Sequence, residues 1–192
     1  MGRSHGLFIR GWPHNAAYYQ PHREWLRALL APEPGPLISA SENDLVLHLR
    51  IGDYLHPKNV RRFGYPLEAV FTLLSQLAFD RCLVVTDSPA HPAIRRLASE
   101  LRGLTVSAGS AMTDYRTLHQ ASRAVITPST FGWWATWTGA AKEIYIAQEM
   151  GVWQRSSLRN ALLPADARYH AFHGDGQLAG ADEDRMRRTD SR

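Results

Sequence analysis

The sequence predicts an α/β protein with a doubly wound, Rossmann-like parallel sheet. Short apolar runs rich in valine and isoleucine alternate with longer segments of helical periodicity. Each apolar run is followed by polar or turn-forming residues, as expected where a buried strand ends. The 192 residues, 44% hydrophobic and 21% charged, are enough for one globular domain with its own core.

The predicted elements alternate along the chain, and proline lies at or near the start of two of the helices. Strands are predicted at Asp44–Arg50, Arg81–Thr86, Leu104–Val106, Ala124–Thr127 and Glu143–Ala147, and helices at Pro66–Ala78, Pro92–Leu101, Asp114–Ser122 and Phe131–Thr138.

Segments of different composition flank this α/β domain, which is predicted over residues 37–173. Residues 1–36 form a predicted N-terminal helical segment, in which Pro21–Leu30 reads as an amphipathic helix that the proline-rich residues 31–36 end. Its large apolar residues are Trp25, Leu26, Leu29 and Leu30. Residues 174–192 carry mixed charges and little to bury, so they are predicted to be a disordered tail.

Composition narrows the class of protein. The lone cysteine, Cys82, lies in an apolar run typical of a buried strand, which leaves no disulfide within one chain and favours a reducing compartment. The apolar run Leu7–Ile9 is too short for a signal peptide core or a membrane span. We therefore expect a cytoplasmic protein. The histidines are scattered and no metal-ligand spacing occurs, so no metal site is expected.

Polar residues follow three of the predicted strands, where open parallel sheets bind their ligands. These segments are His48–Tyr54, Thr86–Pro89 and Thr127–Trp134. Because the carboxyl ends of parallel strands lie at the same end of a sheet, we expect all three to face one crevice.

Arg50 is the first candidate for ligand binding. A planar guanidinium at a strand end is suited to grip a diphosphate through two parallel hydrogen bonds, and the alternative is a surface ion pair with Asp53. Gly52 permits a close backbone approach, and Asp53 would orient Arg50 or contact a sugar hydroxyl. His48 alternates with apolar residues, so on this segment alone it is predicted to be a satisfied, inward-facing histidine.

Ser129 and Thr130 stand between a strand and a helix, where hydroxyls and free backbone amides suit a phosphate. A plain helix cap is the compatible alternative. Asp114 is either a cap or a carboxylate that accepts hydrogen bonds from a guanine edge, and Asp87 has the same two interpretations. The nearby tryptophans are predicted to build the core: Trp133, Trp134 and Trp137.

Taken in order, these segments resemble the alpha-1,2-fucosyltransferase family of the fucosyltransferase superfamily. His48–Tyr54 resembles the motif His-x-Arg-Arg-Gly-Asp-Tyr, and Val84–Ser88 resembles Phe-Ser-Asp-Asp. The block from Asp114 to Trp137 resembles Asp-x-x-Leu-Met-Ser followed by Ile-Ile-Ala-Asn-Ser-Ser-Phe-Ser-Trp-Trp-Ala-Ala-Trp, which is highly specific. Gly11–Tyr19 resembles Gly-Tyr-Trp-Gln-Ser-x-x-Tyr-Phe, so the match extends from about Gly11 to Trp153.

The resemblance implies the donor-binding half of a GT-B fold, a GDP-fucose donor, a glycan acceptor, no metal, and inversion at the anomeric carbon. Arg50 would bind the β-phosphate and stabilise the departing GDP, with Asp53 as its catalytic partner. The other implied roles are diphosphate binding by Ser129 and Thr130, nucleoside contacts by His48 and Asp114, and support of the site by Asp87.

The sequence departs from the family pattern in three places. Ile51 replaces the second arginine, Ser88 replaces the second acidic residue, and the family's amino-terminal Gly-Gly-Leu-Gly-Asn-Gln domain is not found. We expect a longer natural chain, a partner chain that supplies the missing domain, or a remnant that binds nucleotide without transferring sugar.

Two further functions remain open. One is a non-catalytic GDP-sugar-binding module, which would bind GDP without acceptor-dependent turnover. The other is a basic RNA-associated protein, which would use Lys58, Arg61 and Arg62 and bind polynucleotide with a steep salt dependence. The formal charge of +4 is mild, and no basic stripe alternates with aromatics, so nucleic-acid binding is disfavoured.

Overall fold

The computed structural model describes residues 16–33, 35, 41–60, 67–107, 109–127, 129–147 and 166–179. The elements in chain order are α1 (Ala16–Tyr19), a 3-10 turn (Gln20–His22), α2 (Arg23–Leu29), β1 (Leu45–Leu49), α3 (Leu67–Gln76), β2 (Cys82–Thr86), α4 (Pro92–Glu100), β3 (Leu104–Val106), α5 (Ala111–Gln120), β4 (Arg123–Ile126), α6 (Thr130–Thr138), β5 (Glu143–Ala147) and β6 (Tyr169–Phe172).

The strands form one sheet in the order β3-β2-β1-β4-β5-β6, and every neighbouring pair is parallel. The chain reverses its direction of travel across the sheet between β1 and β4, which is the arrangement of doubly wound Rossmann-like folds. The fold class predicted from the sequence is confirmed.

Each face of the sheet has its own apolar core. Leu47 and Val84 lie on the face covered by α3 and α4, whereas their neighbours Val46 and Val85 lie on the face that contacts α5 and α6. All residues of β1 and β2 are buried, because successive side chains of a covered strand point into one core or the other. The predicted burial of Cys82 is confirmed, and burial raises the pKa of its thiol to about 12.

Most predicted bounds differ from the observed ones by one or two residues, and β3 and β5 match them. The start of α5 was predicted three residues too late. Its N-cap is Ser110, whose side chain accepts a hydrogen bond from the Thr113 amide at 3.2 Å, so Asp114 lies inside the helix. Strand β6 was not predicted, because its four residues include His170 and make only a brief apolar run.

The N-terminal helical segment only partly matches the prediction. Helix α2 begins at Arg23, after the 3-10 turn that contains Pro21. Leu26 packs against the core, but Trp25 and Leu29 are 64% and 61% exposed. The predicted apolar face is therefore wrong for those two residues, because among the described residues Leu26 is the one of the three that packs against the core.

The residues after β6 turn back toward the sheet. The Ala179 amide donates to the Ala171 carbonyl at 2.9 Å, and Gly176 adopts a positive φ of 83° in the turn. Residues 174–179 of the predicted disordered tail thus have a described structure, and residues 180–192 lie outside the described residues. Residues 11–15, which belong to the first segment of the family resemblance, also lie outside the described residues. So do residues 61 and 62, the two arginines considered for RNA binding.

No helix in the described part of the chain is long and apolar enough to cross a membrane.

Candidate functional site

The candidate site lies at the carboxyl end of the sheet, where β1 and β4 meet. Thr127 joins the two strand ends: its amide and its hydroxyl both donate to the His48 carbonyl at 3.2 Å, and the hydroxyl accepts from the Arg50 amide at 3.2 Å. The backbone of Arg50 is therefore held at the point where the sheet order reverses. Ligands of open α/β sheets bind in the crevice at this point.

The guanidinium of Arg50 contacts two carboxylates. Its Nε lies 2.8 Å from Asp53 Oδ1 and 3.3 Å from Asp87 Oδ2. The central carbon of the guanidinium, Cζ, lies 5.9 Å from the centre of the Tyr54 ring. Burial by itself would lower the pKa of Arg50, but the hydrogen bond that Arg50 donates to Asp53 and the charge of Asp87 raise it above its usual value. Arg50 stays charged with 39% of its side chain exposed, as an anion-binding group requires.

Asp87 also shapes the turn that follows β1. Its Oδ1 accepts hydrogen bonds from the amides of Ile51 and Gly52 at 2.9 and 3.2 Å. A methyl group at position 52 would lie 2.8 Å from Asp87 Oδ2, so a larger residue there would push against the carboxylate that these amides bind. Asp87 does not cap the next helix, because His91 does so by accepting from the Ala93 amide at 3.2 Å.

His48 faces inward, as predicted, but one of its ring nitrogens does not have the partner that was expected, as far as the described residues show. It is 4% exposed, and within the described residues its Nδ1 has no hydrogen-bond partner. Gly132 makes room for it, since a methyl group there would lie 2.7 Å from Nδ1. Burial lowers the pKa of His48 to about 4, so the imidazole is neutral at physiological pH.

The first turn of α6 lies beside this histidine, and the ring of Phe131 is centred 5.8 Å from it. Ser129 is the N-cap, yet its side chain makes no capping hydrogen bond and is buried. Thr130 begins the helix. The hydroxyl of Ser129 is not used as a conventional cap, and it lies where the positive end of the helix dipole favours an anion.

Among the described residues, Asp114 forms no hydrogen bond or ion pair with Arg50 or with the two carboxylates that contact it, and it pairs with a residue at a different strand end. Its Oδ1 accepts from the Ser107 hydroxyl at 2.8 Å, and Ser107 directly follows β3. Burial raises the pKa of Asp114 despite this hydrogen bond. The capping role considered for Asp114 is wrong, since Ser110 is the cap, and the proposed nucleoside contact remains a prediction.

The structure brings Arg50, Asp53 and Asp87 into contact and places Ser129 and Thr130 at the same end of the sheet. Sequence reasoning missed the bridging role of Thr127 and the fit of Gly132 against His48. A hydroxyl directly after a strand was the available signal for Thr127. For Gly132 there was none, because its neighbour comes from a distant strand.

Two nearby predictions concern apolar packing. Trp133 and Trp137 are buried and stack with ring centres 5.0 Å apart, so their assignment to the core is confirmed. Ile51, at the position where the resembled motif has its second arginine, is 1% exposed and packs in the core on the α3 face. Position 51 therefore faces the protein interior.

Among the described residues, no group of three or more histidine, cysteine, aspartate or glutamate side chains is placed to hold a metal ion. Comparisons of the chain with family models, with curated proteins and with solved structures found no match.

Proposed function

We propose that this protein binds the diphosphate of a GDP-sugar at the carboxyl end of its sheet and acts as a fucosyltransferase-like domain, transferring fucose to a glycan hydroxyl with inversion. The observation that carries the proposal is the position of Arg50. It is a charged, partly exposed arginine at the β1–β4 switch point, oriented by Asp53 and Asp87.

A second group supports a phosphate ligand from the other side of the switch point. The first-turn amides of α6, which have no partner within the helix itself, and the hydroxyl of Ser129, which does not cap the helix, follow β4, the strand paired with β1. An arginine and a helix N-terminus at the same end of the sheet suit a diphosphate, which needs positive potential along its length. The family resemblance of both segments supports the same ligand.

For transfer, Arg50 would stabilise the negative charge that develops on the β-phosphate as the bond from the sugar to GDP breaks. The acceptor hydroxyl would attack the anomeric carbon from the opposite face and pass its proton to a base, for which the half-exposed carboxylate of Asp53 is the candidate beside Arg50. Neutral, buried His48 would contribute contacts to the nucleoside rather than charge. Asp114, with its raised pKa, would be the second nucleoside contact.

A second candidate is a GDP-sugar-binding module that does not transfer sugar. The contacts of the site favour it in one respect, because both carboxylates beside Arg50 already bind the arginine or backbone amides. A carboxylate used in this way is a poor general base for the acceptor hydroxyl. The two candidates share the donor site and differ in turnover.

The test is calorimetric titration of GDP and GDP-fucose into the wild-type protein and Arg50→Ala. Charge-assisted hydrogen bonds contribute about 1.5–3 kcal/mol, so we expect roughly a 10- to 100-fold loss of affinity in the variant. Arg102→Ala is the matched control, since this exposed arginine precedes β3 at the amino end of the sheet. Its affinity for GDP should equal that of the wild type.

The remaining functions give different results in the same experiments. Acceptor-dependent release of GDP separates the transferase from the binding module. Binding of polynucleotide that falls steeply with salt, together with no response to GDP, would favour the RNA-associated protein and contradict the proposal. Equal GDP binding by wild type and Arg50→Ala would also contradict it.

A further inference from the structure

The charges around Arg50 are unusual for an anion site. Arg50 contributes one positive charge, and Asp53 and Asp87 place two carboxylates within 3.3 Å of the same Nε atom. Ile51 is apolar and faces the core, so position 51 adds no positive charge. An anion that approaches Arg50 therefore meets repulsion from both carboxylates.

The two carboxylates are held very differently. Asp87 is anchored by the two backbone amides that its Oδ1 accepts, and 27% of its side chain is exposed. Asp53 lies on the turn three residues after Arg50, and 54% of its side chain is exposed. The Asp53 carboxylate can rotate away from the guanidinium into water, whereas Asp87 cannot move without breaking two hydrogen bonds.

We infer that Asp53 is an internal competitor for the anion: its carboxylate occupies Arg50 in the unliganded protein and is displaced when a phosphate binds. The inference rests on the proposed function, since it takes a nucleoside diphosphate as the ligand of Arg50. It also predicts a change in anion affinity opposite to the one expected if Asp53 supported the site. Removal of the Asp53 charge should strengthen anion binding, whereas loss of a supporting residue should weaken it.

The expected gain is modest, because exposed ion pairs are weak. Replacement of Asp53 by asparagine should tighten binding by roughly 2- to 5-fold. Asp87→Asn should give no gain. Its amide oxygen can still accept from the backbone of residues 51 and 52, but its NH₂ group would then face Arg50 Nε, a donor against a donor.

The experiment is calorimetric titration of inorganic pyrophosphate and, separately, GDP into wild type, Asp53→Asn, Asp87→Asn and Asp80→Asn. Asp80 controls for net charge, since it is exposed and its amide donates to the Asn43 carbonyl at the amino end of the sheet. We expect both probes to bind more tightly to Asp53→Asn alone. Binding that appears in Asp53→Asn and is undetectable in wild type would support the inference equally.

Other results overturn the inference or the proposed function separately. Wild-type binding that is unchanged or weakened in Asp53→Asn overturns the inference and leaves the proposed function standing, as does an equal gain in Asp80→Asn. Tighter pyrophosphate binding by Asp53→Asn, with GDP bound no better than pyrophosphate, supports the inference and removes the nucleotide ligand. No binding by any of the four proteins overturns both.

Discussion

At the amino end of the sheet, Arg81, Arg123 and Arg168 each pair with a carboxylate near the start of a strand, whereas at the carboxyl end Arg50 faces two carboxylates that follow strands. The same residue types therefore occur at both ends. At the amino end, two of the guanidiniums also donate to backbone carbonyls and join separate elements: Arg123 to Ala78 at 2.7 Å and Arg168 to Ala141 at 3.0 Å.

The carboxyl end differs in where its arginine lies. Arg50 lies at the β1–β4 switch point, where open parallel sheets bind their ligands, whereas the other three arginines lie near the starts of strands. Among the described residues, the buried side-chain atoms without a hydrogen-bond partner include Nδ1 of His48 but also Nε2 of His119 and Nε1 of Trp137, so an unpaired polar atom does not by itself distinguish the two ends. The comparison teaches that position in the fold separates a structural arginine from a candidate ligand-binding one. Three predictions would break or sharpen it.

The largest expected effect is on stability, at the amino end. Arg168 and Asp166 are only 19% and 15% exposed in their side chains, and Arg168→Ala would leave the carboxylate without its cation. We expect a loss of roughly 3 kcal/mol in the free energy of unfolding, measured by urea denaturation. GDP binding by the folded variant should match wild type. A loss of less than about 1 kcal/mol would place Arg168 among the weak surface pairs and break the comparison.

An effect of about the same size, which depends on pH, comes from the buried histidine at the carboxyl end. The pKa of His48 is about 4 in the folded protein against an ordinary value of 6.5, so the unfolded chain binds the proton more tightly. The stability linked to His48 is complete above pH 6.5 and is lost as the pH falls from 6.5 toward 4, by about 3 kcal/mol in total.

The measurement for His48 is the free energy of unfolding as a function of pH, for wild type and His48→Gln. We expect the wild-type curve to fall more steeply than the variant curve between pH 6.5 and 4, whatever the difference in their absolute stabilities. Parallel curves would mean that His48 takes up its proton without cost in the folded state.

The smallest expected effect separates two serines that both precede helices. Ser110 accepts from the Thr113 amide, so Ser110→Ala should cost about 1 kcal/mol of stability. Ser129 makes no capping bond, so Ser129→Ala should cost less than about 0.5 kcal/mol and weaken GDP binding instead. Thermal denaturation and calorimetry of both variants check this. Equal losses of stability, with unchanged GDP affinity, would make Ser129 an ordinary cap.

Much of the fold was predictable, because local periodicity records which residues are buried. Strands β3 and β5 match their predicted bounds, and the position of Arg50 at the end of β1 follows from the apolar run before it. Strand β6 was missed because four residues carry too little pattern. The exposure of Trp25 was missed because apolar spacing shows that a helix has an apolar side, but not whether a partner covers it.

The sequence predicted which residues belong to the candidate site, but not which of them contact one another. Arg50 and Ser129 were identified from where strands end, which is local information. The hydrogen bonds from Ile51 and Gly52 to Asp87 join two strands that are distant in sequence, and only the register of β1 against β2 brings them together.

By itself, the sequence determined the alternation of strands and helices, the burial of the sheet and the placement of polar residues after the strands, because these depend on hydrophobic periodicity over a few residues. Only the tertiary structure decided that Gly132 makes room for the ring of His48 and that two carboxylates share Arg50. Such contacts depend on the order and register of strands far apart in the chain, which no local pattern specifies.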